Sequence, residues 1–221
     1  MTEPTLEDYI VYLKSSDADE RRNAAWWLGR QRDFRIVEPL ISVLNDKDAT
    51  VRLRAAESLG NMKDDRVVMP LVSALADDDV QVRAKVIDSL GRQGDFRALE
   101  AIIMQLQVVE IEIRMAAAEA LALLPEGRSV MPLVSVVLDD TDYDVRYSAA
   151  RTLGQIGGAA VVDALLIALM SEPDDTSKIF IAETLAKLAD QRAVEPLHTL
   201  TEDTDEGVRE TAKWALKQLG V

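Results

Sequence analysis

The chain has 221 residues, a net charge of −14 from 39 acids against 25 bases, no cysteine, and 5% aromatic residues within a 48% apolar composition. The lack of cysteine excludes a disulfide framework, a thiolate metal site and a cysteine nucleophile. The acid excess opposes nucleic acid and anionic membranes as partners, since both need a basic face to displace counterions.

No apolar run approaches the roughly 18 residues of a membrane span. The opening Met1-Thr2-Glu3-Pro4-Thr5-Leu6-Glu7-Asp8 is acidic and lacks an h-region, so no signal or transit peptide is expected and the protein is assigned to the cytoplasm. Thr5 to Lys14 predicts an opening helix, and residues 1–17 read as an N-terminal cap. Residues 18–204 then repeat. A basic side chain recurs at Arg21, Arg52, Arg83, Arg114, Arg146, Lys178 and Arg209, at intervals of 31, 31, 31, 32, 32 and 31. Four residues before each stands a carboxylate: Asp17, Asp48, Asp79, Glu110, Asp142, Asp174, Asp205. A fixed period of this length marks one supersecondary unit stacked on copies of itself. Residues 1–221 therefore read as a single elongated repeat domain in which each unit touches mainly its neighbours.

The second repeat shows the unit best. Asp64 to Leu75 predicts a first helix, with Val67, Val68, Leu71, Val72 and Leu75 at helical spacing. Pro70 falls in its first turn, where a missing N–H costs little. Asp77-Asp78-Asp79 forms a turn, and Asp79 is placed to cap a second helix over Val82 to Arg92. Across the repeats the second helix carries leucine at Leu28, Leu59, Leu90, Leu121, Leu153, Leu185 and Leu216. One turn earlier stand Ala24, Ala55, Val86, Ala117, Ala149, Ile181 and Ala212, on the same face. Gly29, Gly60, Gly91 and Gly154 follow the leucine, which permits close helix approach. Residues 205–221 form the closing helix, where Lys213 and Lys217 replace the alanine and glycine found elsewhere. A polar terminal face keeps a solenoid soluble, so seven helix pairs are expected to make the whole protein.

Val51-Arg52-Leu53-Arg54-Ala55-Ala56-Glu57-Ser58-Leu59-Gly60, Asp95-Phe96-Arg97-Ala98-Leu99 and Asp190-Gln191-Arg192-Ala193-Val194-Glu195-Pro196-Leu197 carry a resemblance. The pattern resembles the HEAT repeat family, in the short subtype called the phycobilisome-lyase HEAT-like repeat, from about Thr5 to Leu219. The resemblance implies an all-α fold: an α-solenoid, a right-handed superhelix of about seven HEAT-like helix pairs with period 31–32.

The regular acids and bases read as scaffold. A carboxylate at an N-cap accepts backbone N–H groups, and an acid four residues before a base on one helix makes a surface pair. The ladder is assigned to Asp48, Arg52, Asp79, Arg83, Glu110, Arg114, Asp142, Arg146, Asp205 and Arg209. HEAT proteins imply that such residues also link neighbouring repeats. The acidic stretches Asp77–Asp79 and Asp139–Asp144 lack the glycine and terminal glutamate of an EF-hand loop and read as turns and caps.

Function is then sought where the repeats differ. The varying positions of the second helices line the concave groove in HEAT-like arrays. There the sequence places Trp26, Arg54, Lys85, Met115, Tyr147, Arg151, Ile179, Phe180 and Trp214 as a partner-binding face. Met115, Tyr147, Ile179 and Phe180 give an apolar half, suited to a protein interface, while Arg54, Lys85 and Arg92 stand near Glu57 and Asp88 in a mixed-charge half. A competing possibility is that Ile179 and Phe180 fill an irregular repeat. His198, the single histidine, reads as a semi-buried packing residue. HEAT-like deoxyhypusine hydroxylases need several His–Glu pairs, and HEAT-like DNA glycosylases a basic aromatic groove; neither is present. No catalytic residue, metal site or cofactor is assigned.

The expected function is a non-enzymatic scaffold or adaptor, a monomer that binds a protein or peptide on its concave face and neither nucleic acid nor membrane. The subtype's name carries an alternative, a phycobilin lyase or lyase-like subunit. In that family a groove presents a tetrapyrrole to a phycobiliprotein, and Tyr147, Phe180, Arg151 and Trp214 would contact the pigment.

Overall fold

In the computed structural model the described residues are 4–31, 33–124 and 127–221. The opening Met1–Glu3, and what the sequence suggests of it, lies outside them. Every regular element among the described residues is helical, in the paired pattern of an α-solenoid. The sequence reading draws one domain over 1–221, whereas the contacts gather into two compact units, Met1–Leu124 and Pro125–Val221.

The first unit holds α1 (Leu6–Tyr12), α2 (Ala18–Leu28), α3 (Val37–Ser42), α4 (Ala49–Gly60), α5 (Val68–Ser73), α6 (Val80–Gln93), α7 (Leu99–Gln105) and α8 (Ile111–Leu121). The even-numbered helices form one layer, α2 on α4 on α6 on α8, and each odd-numbered helix packs on the even one after it. The odd-numbered helices α3 and α5 are shorter than the repeat pattern suggests. The predicted first helix of the second repeat becomes α5 plus a tight 3-10 turn at Ala74–Ala76. It does not begin at Asp64 because that side chain takes the Arg66 backbone N–H at 2.9 Å, a local turn that competes with helix.

Asp17, Asp48 and Asp79 have extended backbones and cap α2, α4 and α6. Leu28, Leu59, Leu90 and Leu121 are fully buried against the partner layer. The glycines after Leu28 and Leu59 have a specific use. A β-carbon on Gly60 would stand 2.4 Å from the Ser89 hydroxyl oxygen, and one on Gly29 would meet Ser58 in the same way. Each serine crosses the gap and donates to the preceding helix: Ser58 to the Ala25 carbonyl at 2.8 Å, Ser89 to that of Ala56 at 2.9 Å. In α2, where no earlier even-numbered helix precedes, the serine position is Trp27. Its ring stacks on Tyr9 of α1 at 4.0 Å.

The second unit holds α9 (Gly127–Asp139), α10 (Tyr143–Ile156), α11 (Ala159–Leu169), α12 (Asp175–Leu188), α13 (Val194–Leu200) and α14 (Glu206–Leu219). Its even layer is α10 on α12 on α14. Thr184 takes the serine role, donating to the Phe180 carbonyl at 2.7 Å and reaching that of Ala150 at 3.3 Å. Helix α14 ends on Gly220 at φ +84°, as α6 ends on Gly94 at φ +70°, while α12 ends on Ala189 at φ +54°.

The caps of the acid–base ladder form as the sequence predicts, while its bases pair differently from the expected same-helix pairs. The carboxylate four residues before the base is spent on its own helix: Asp48, Asp79, Asp142 and Asp205 accept N–H groups of α4, α6, α10 and α14. The base instead reaches back to its own loop and forward to the next. Arg52 Nη1 donates to the Asp46 carbonyl, and its Nε and Nη2 clasp Asp77 at 2.6 and 2.7 Å. Arg21 clasps Asp46 likewise, and Lys178 meets Asp203 at 2.9 Å. Glu110 leaves its helix start uncapped and takes Arg83. Arg114, Arg146 and Arg209 bind the carbonyls of their own loops. A fork of planar donors suits this double duty. At Arg146 the forward clasp fails: Nε is buried with no partner among the described residues. The position that is Asp46, Asp77 or Asp203 elsewhere is Glu172, whose carboxylate takes the Asp174 N–H.

Candidate functional site

The outward face of the even-numbered helices carries the residues that vary between repeats. In the second unit, capping by Asp142 sets the start of α10, so Tyr143 and Tyr147 stand one turn apart on the same stripe. Phe180 of α12 lies beneath both rings, with centroids 5.1 Å from Tyr143 and 5.8 Å from Tyr147 at tilts of 58° and 56°. Tilted aromatic pairs at these separations are favourable.

The exposures separate floor from rim. Phe180 is 3% exposed, Tyr143 57% and Tyr147 44%. The expectation that Phe180 forms open groove surface is thus corrected. Two tyrosines from the neighbouring helix cover it, and the Thr184 hydroxyl pins its backbone carbonyl. Ile179 is half-buried and packs toward α14, its Cδ1 3.3 Å from where a β-carbon on Gly207 would stand. Trp214 on α14 and Arg151 on α10 are exposed.

Tyr143 was missed from sequence because it directly follows the cap and fell outside the aligned positions. Its signal was there: two tyrosines at i and i+4, with phenylalanine in the next repeat.

In the first unit Met115 is half-buried on α8. Trp26 on α2 is exposed, with the Arg30 guanidinium 4.7 Å above its ring. Arg54 pairs with Glu57 at 2.6 Å, Lys85 with Asp88 at 3.3 Å, and Arg92 bridges Asp88 and Asn61. Arg54 and Lys85 thus stand in a mixed-charge half, as the sequence suggests.

His198 departs from expectation. It is exposed, because Leu197 and Leu200 take the buried face of α13 and position 198 turns outward. Asp77 and Asp79 of the acidic turn are engaged by Arg52 and by the start of α6, and Asp78 by Arg52. Among the described residues no group of three His, Asp or Glu is placed to hold a metal ion. No described helix is long and apolar enough to cross a membrane.

Comparison with known proteins adds the family. The profile described as HEAT repeats matches residues 6–91, 37–122, 68–154, 99–179 and 162–221. No curated protein matches the sequence. Among solved structures, the chain is similar to one in the complex of CpcE and CpcF of phycocyanin lyase from Nostoc sp. PCC7120, at 23% identity and TM-score 0.63, covering 99% of this chain and 96% of that one. It is also similar to importin beta, at 13% identity and TM-score 0.67, covering 97% of this chain and 33% of that one. Human deoxyhypusine hydroxylase matches at 19% identity and TM-score 0.51, covering 97% and 96%. At these identities the likeness is one of fold.

Proposed function

We infer the function from one premise: the chain belongs to the HEAT-repeat family. We propose that it is a non-enzymatic scaffold or adaptor, binding a protein or peptide on the outward face of its even-numbered helices. The observation that supports this reading is the pair Tyr143 and Tyr147, more than two-fifths exposed over the buried Phe180 ring. Rigid aromatic rims on a packed floor bind with little loss of side-chain freedom, which is why tyrosine is favoured at hot spots. Trp214, Ile179 and Arg151 extend the surface within the second unit; Trp26, Arg54, Lys85 and Met115 belong to the first. The protein is taken as a cytoplasmic monomer with no cofactor.

The test replaces exposed groups only. Tyr143→Glu with Tyr147→Glu is expected to keep the helical circular-dichroism signal while abolishing the specific bands captured by the immobilised protein from its native lysate. Unchanged capture overturns the assignment. Phe180→Glu is unsuitable, since it places a charge in the core.

A second reading has one supporting observation, the end-to-end likeness to a chain of the phycocyanin lyase complex. In that reading the protein is a lyase-type subunit presenting an open-chain tetrapyrrole. Burial of Phe180 removes one of the four side chains expected to meet the pigment. A visible-range spectrum after incubation with phycocyanobilin decides: a shifted, sharpened band retained through gel filtration supports the lyase reading, and a flow-through pigment rejects it.

A further inference from the structure

The first unit contains a second surface of different chemistry. On the outward face of α2, α4 and α6, and in the turn after α2, stand Arg22, Arg30, Arg54, Lys85 and Arg92 against Asp19, Glu57 and Asp88. Bases exceed acids there, in a chain whose net charge is −14. Elsewhere in this unit the arginines of the ladder are consumed by loop carbonyls and carboxylates. These five are not part of that ladder. The charge of this strip is therefore opposite to that of the molecule.

The strip also has a shape. Arg22, Asn23, Trp26 and Arg54 line an open hollow of about 300 Å³. Arg22 gives Nη1 to Asp19 at 2.8 Å, and Arg54 gives Nη1 to Glu57 at 2.6 Å. Among the described residues neither guanidinium makes a further hydrogen bond, so most of the donors of both remain for a ligand. Their side chains are 38% and 40% exposed, so a ligand reaches them without unfolding anything. Arg30 has no carboxylate partner among the described residues and lies over the Trp26 ring, fixing that ring as a wall.

We propose that this hollow binds an oxyanion, a carboxylate or phosphate group on a small molecule or peptide. Planar guanidinium donors match both groups bidentately, the Asn23 amide adds a neutral donor, and Trp26 gives an apolar wall for the carrier of the charge. The proposal does not rest on the tyrosine surface, which lies in the other unit.

The test uses phenyl phosphate and benzoate as probes, in buffers held at one ionic strength with chloride. The readout is the indole N–H resonance of Trp26 in two-dimensional NMR, assigned with Trp26→Phe. A saturable shift at Trp26, absent at Trp214, is expected for at least one probe. A tighter curve for phenyl phosphate identifies a phosphate source, equal or tighter binding of benzoate a carboxylate source. Because each lost charge-assisted hydrogen bond is substantial, Arg22→Gln with Arg54→Gln is expected to weaken binding by about tenfold or more. Asn23→Ala serves as the milder variant and is expected to weaken it less. No saturable Trp26 shift with either probe, or identical curves in the double variant, overturns the proposal.

Discussion

Side chains at single positions decide more here than the repeat pattern suggests. Phe180 and Tyr147 occupy positions that look equally outward on the aligned helices, yet one is floor and the other rim. The sequence fixes neither, because burial of an outward residue depends on what the neighbouring helix lays over it. Tyr143 and Tyr147 supply that cover. Ala189 shows the converse, a backbone demand that the sequence leaves unmet. It stands at φ +54°, where α6 and α14 use glycine. An L-residue pays roughly 1–2 kcal/mol in the left-handed region, and glycine's wider unfolded freedom returns about 0.4–1 kcal/mol of that. Ala189→Gly is therefore expected to stabilise the protein by about 0.5 kcal/mol, read as a higher urea midpoint. A lower midpoint would show that the cap is not under strain.

Between helices, the joint is glycine against serine at Gly29 and Gly60, and glycine against Ala120 at Gly91. The close approach was readable from Gly29, Gly60 and Gly91, but not the partner, since serine at 58 and 89 looks like an ordinary surface polar residue in a linear reading. In the structure Ser89 is wholly buried and bonded to the Ala56 carbonyl of α4. Gly60→Ala would set a β-carbon 2.4 Å from the Ser89 hydroxyl oxygen and 2.9 Å from its Cα, so α4 and α6 must part. A loss of about 1–3 kcal/mol is expected, as for other overpacked cores. Ser89→Gly in the same chain is expected to recover part of it. Absence of any loss in thermal or urea unfolding would mean the two helices are not held as closely as described. The register of the helices themselves was plain from Leu28, Leu59 and Leu90; the ladder's wiring was not. A carboxylate four residues before an arginine fits a same-helix pair as well as a cap, and only the loop geometry chooses.

Across the molecule the forward clasps share one dependence on acidity. Lys178 holds the Asp203 carboxyl below the usual carboxylate range through a hydrogen bond, helped by the Asp205 N–H. For Asp46 and Asp77 burial pushes upward, but the clasping Arg21 or Arg52 and the next cap's N–H outweigh it, and both end lowered. With native values below unfolded ones, the unfolded chain binds protons first as pH falls. The stability these groups contribute is complete above the ordinary carboxylate range, near pH 4, and is lost as pH drops through the lowered native values. Urea midpoints should stay level from pH 7 to about 5 and fall steeply below about 4. Asp77→Asn should lower the midpoint at pH 7 and flatten that fall; an unaltered acid slope would exclude the clasp as its source. Composition showed an acidic chain and the repeat period an array, yet neither revealed that one face of the first unit runs against the overall charge.

The two-way reach of the ladder bases bears on how such a chain can change length. Each complete unit carries a donor fork that fits the loop after it and a carboxylate that fits the fork before it, as between Arg21, Asp46, Arg52 and Asp77. A duplicated or deleted stretch of one full period leaves every remaining junction with a matching half on each side. A stretch of about half a period would part fork from carboxylate, a loss of the kind seen at the substituted rung Glu172, where Arg146 Nε has no partner among the described residues. The clasps that join one repeat to the next are thus most easily kept when the chain gains or loses whole repeats.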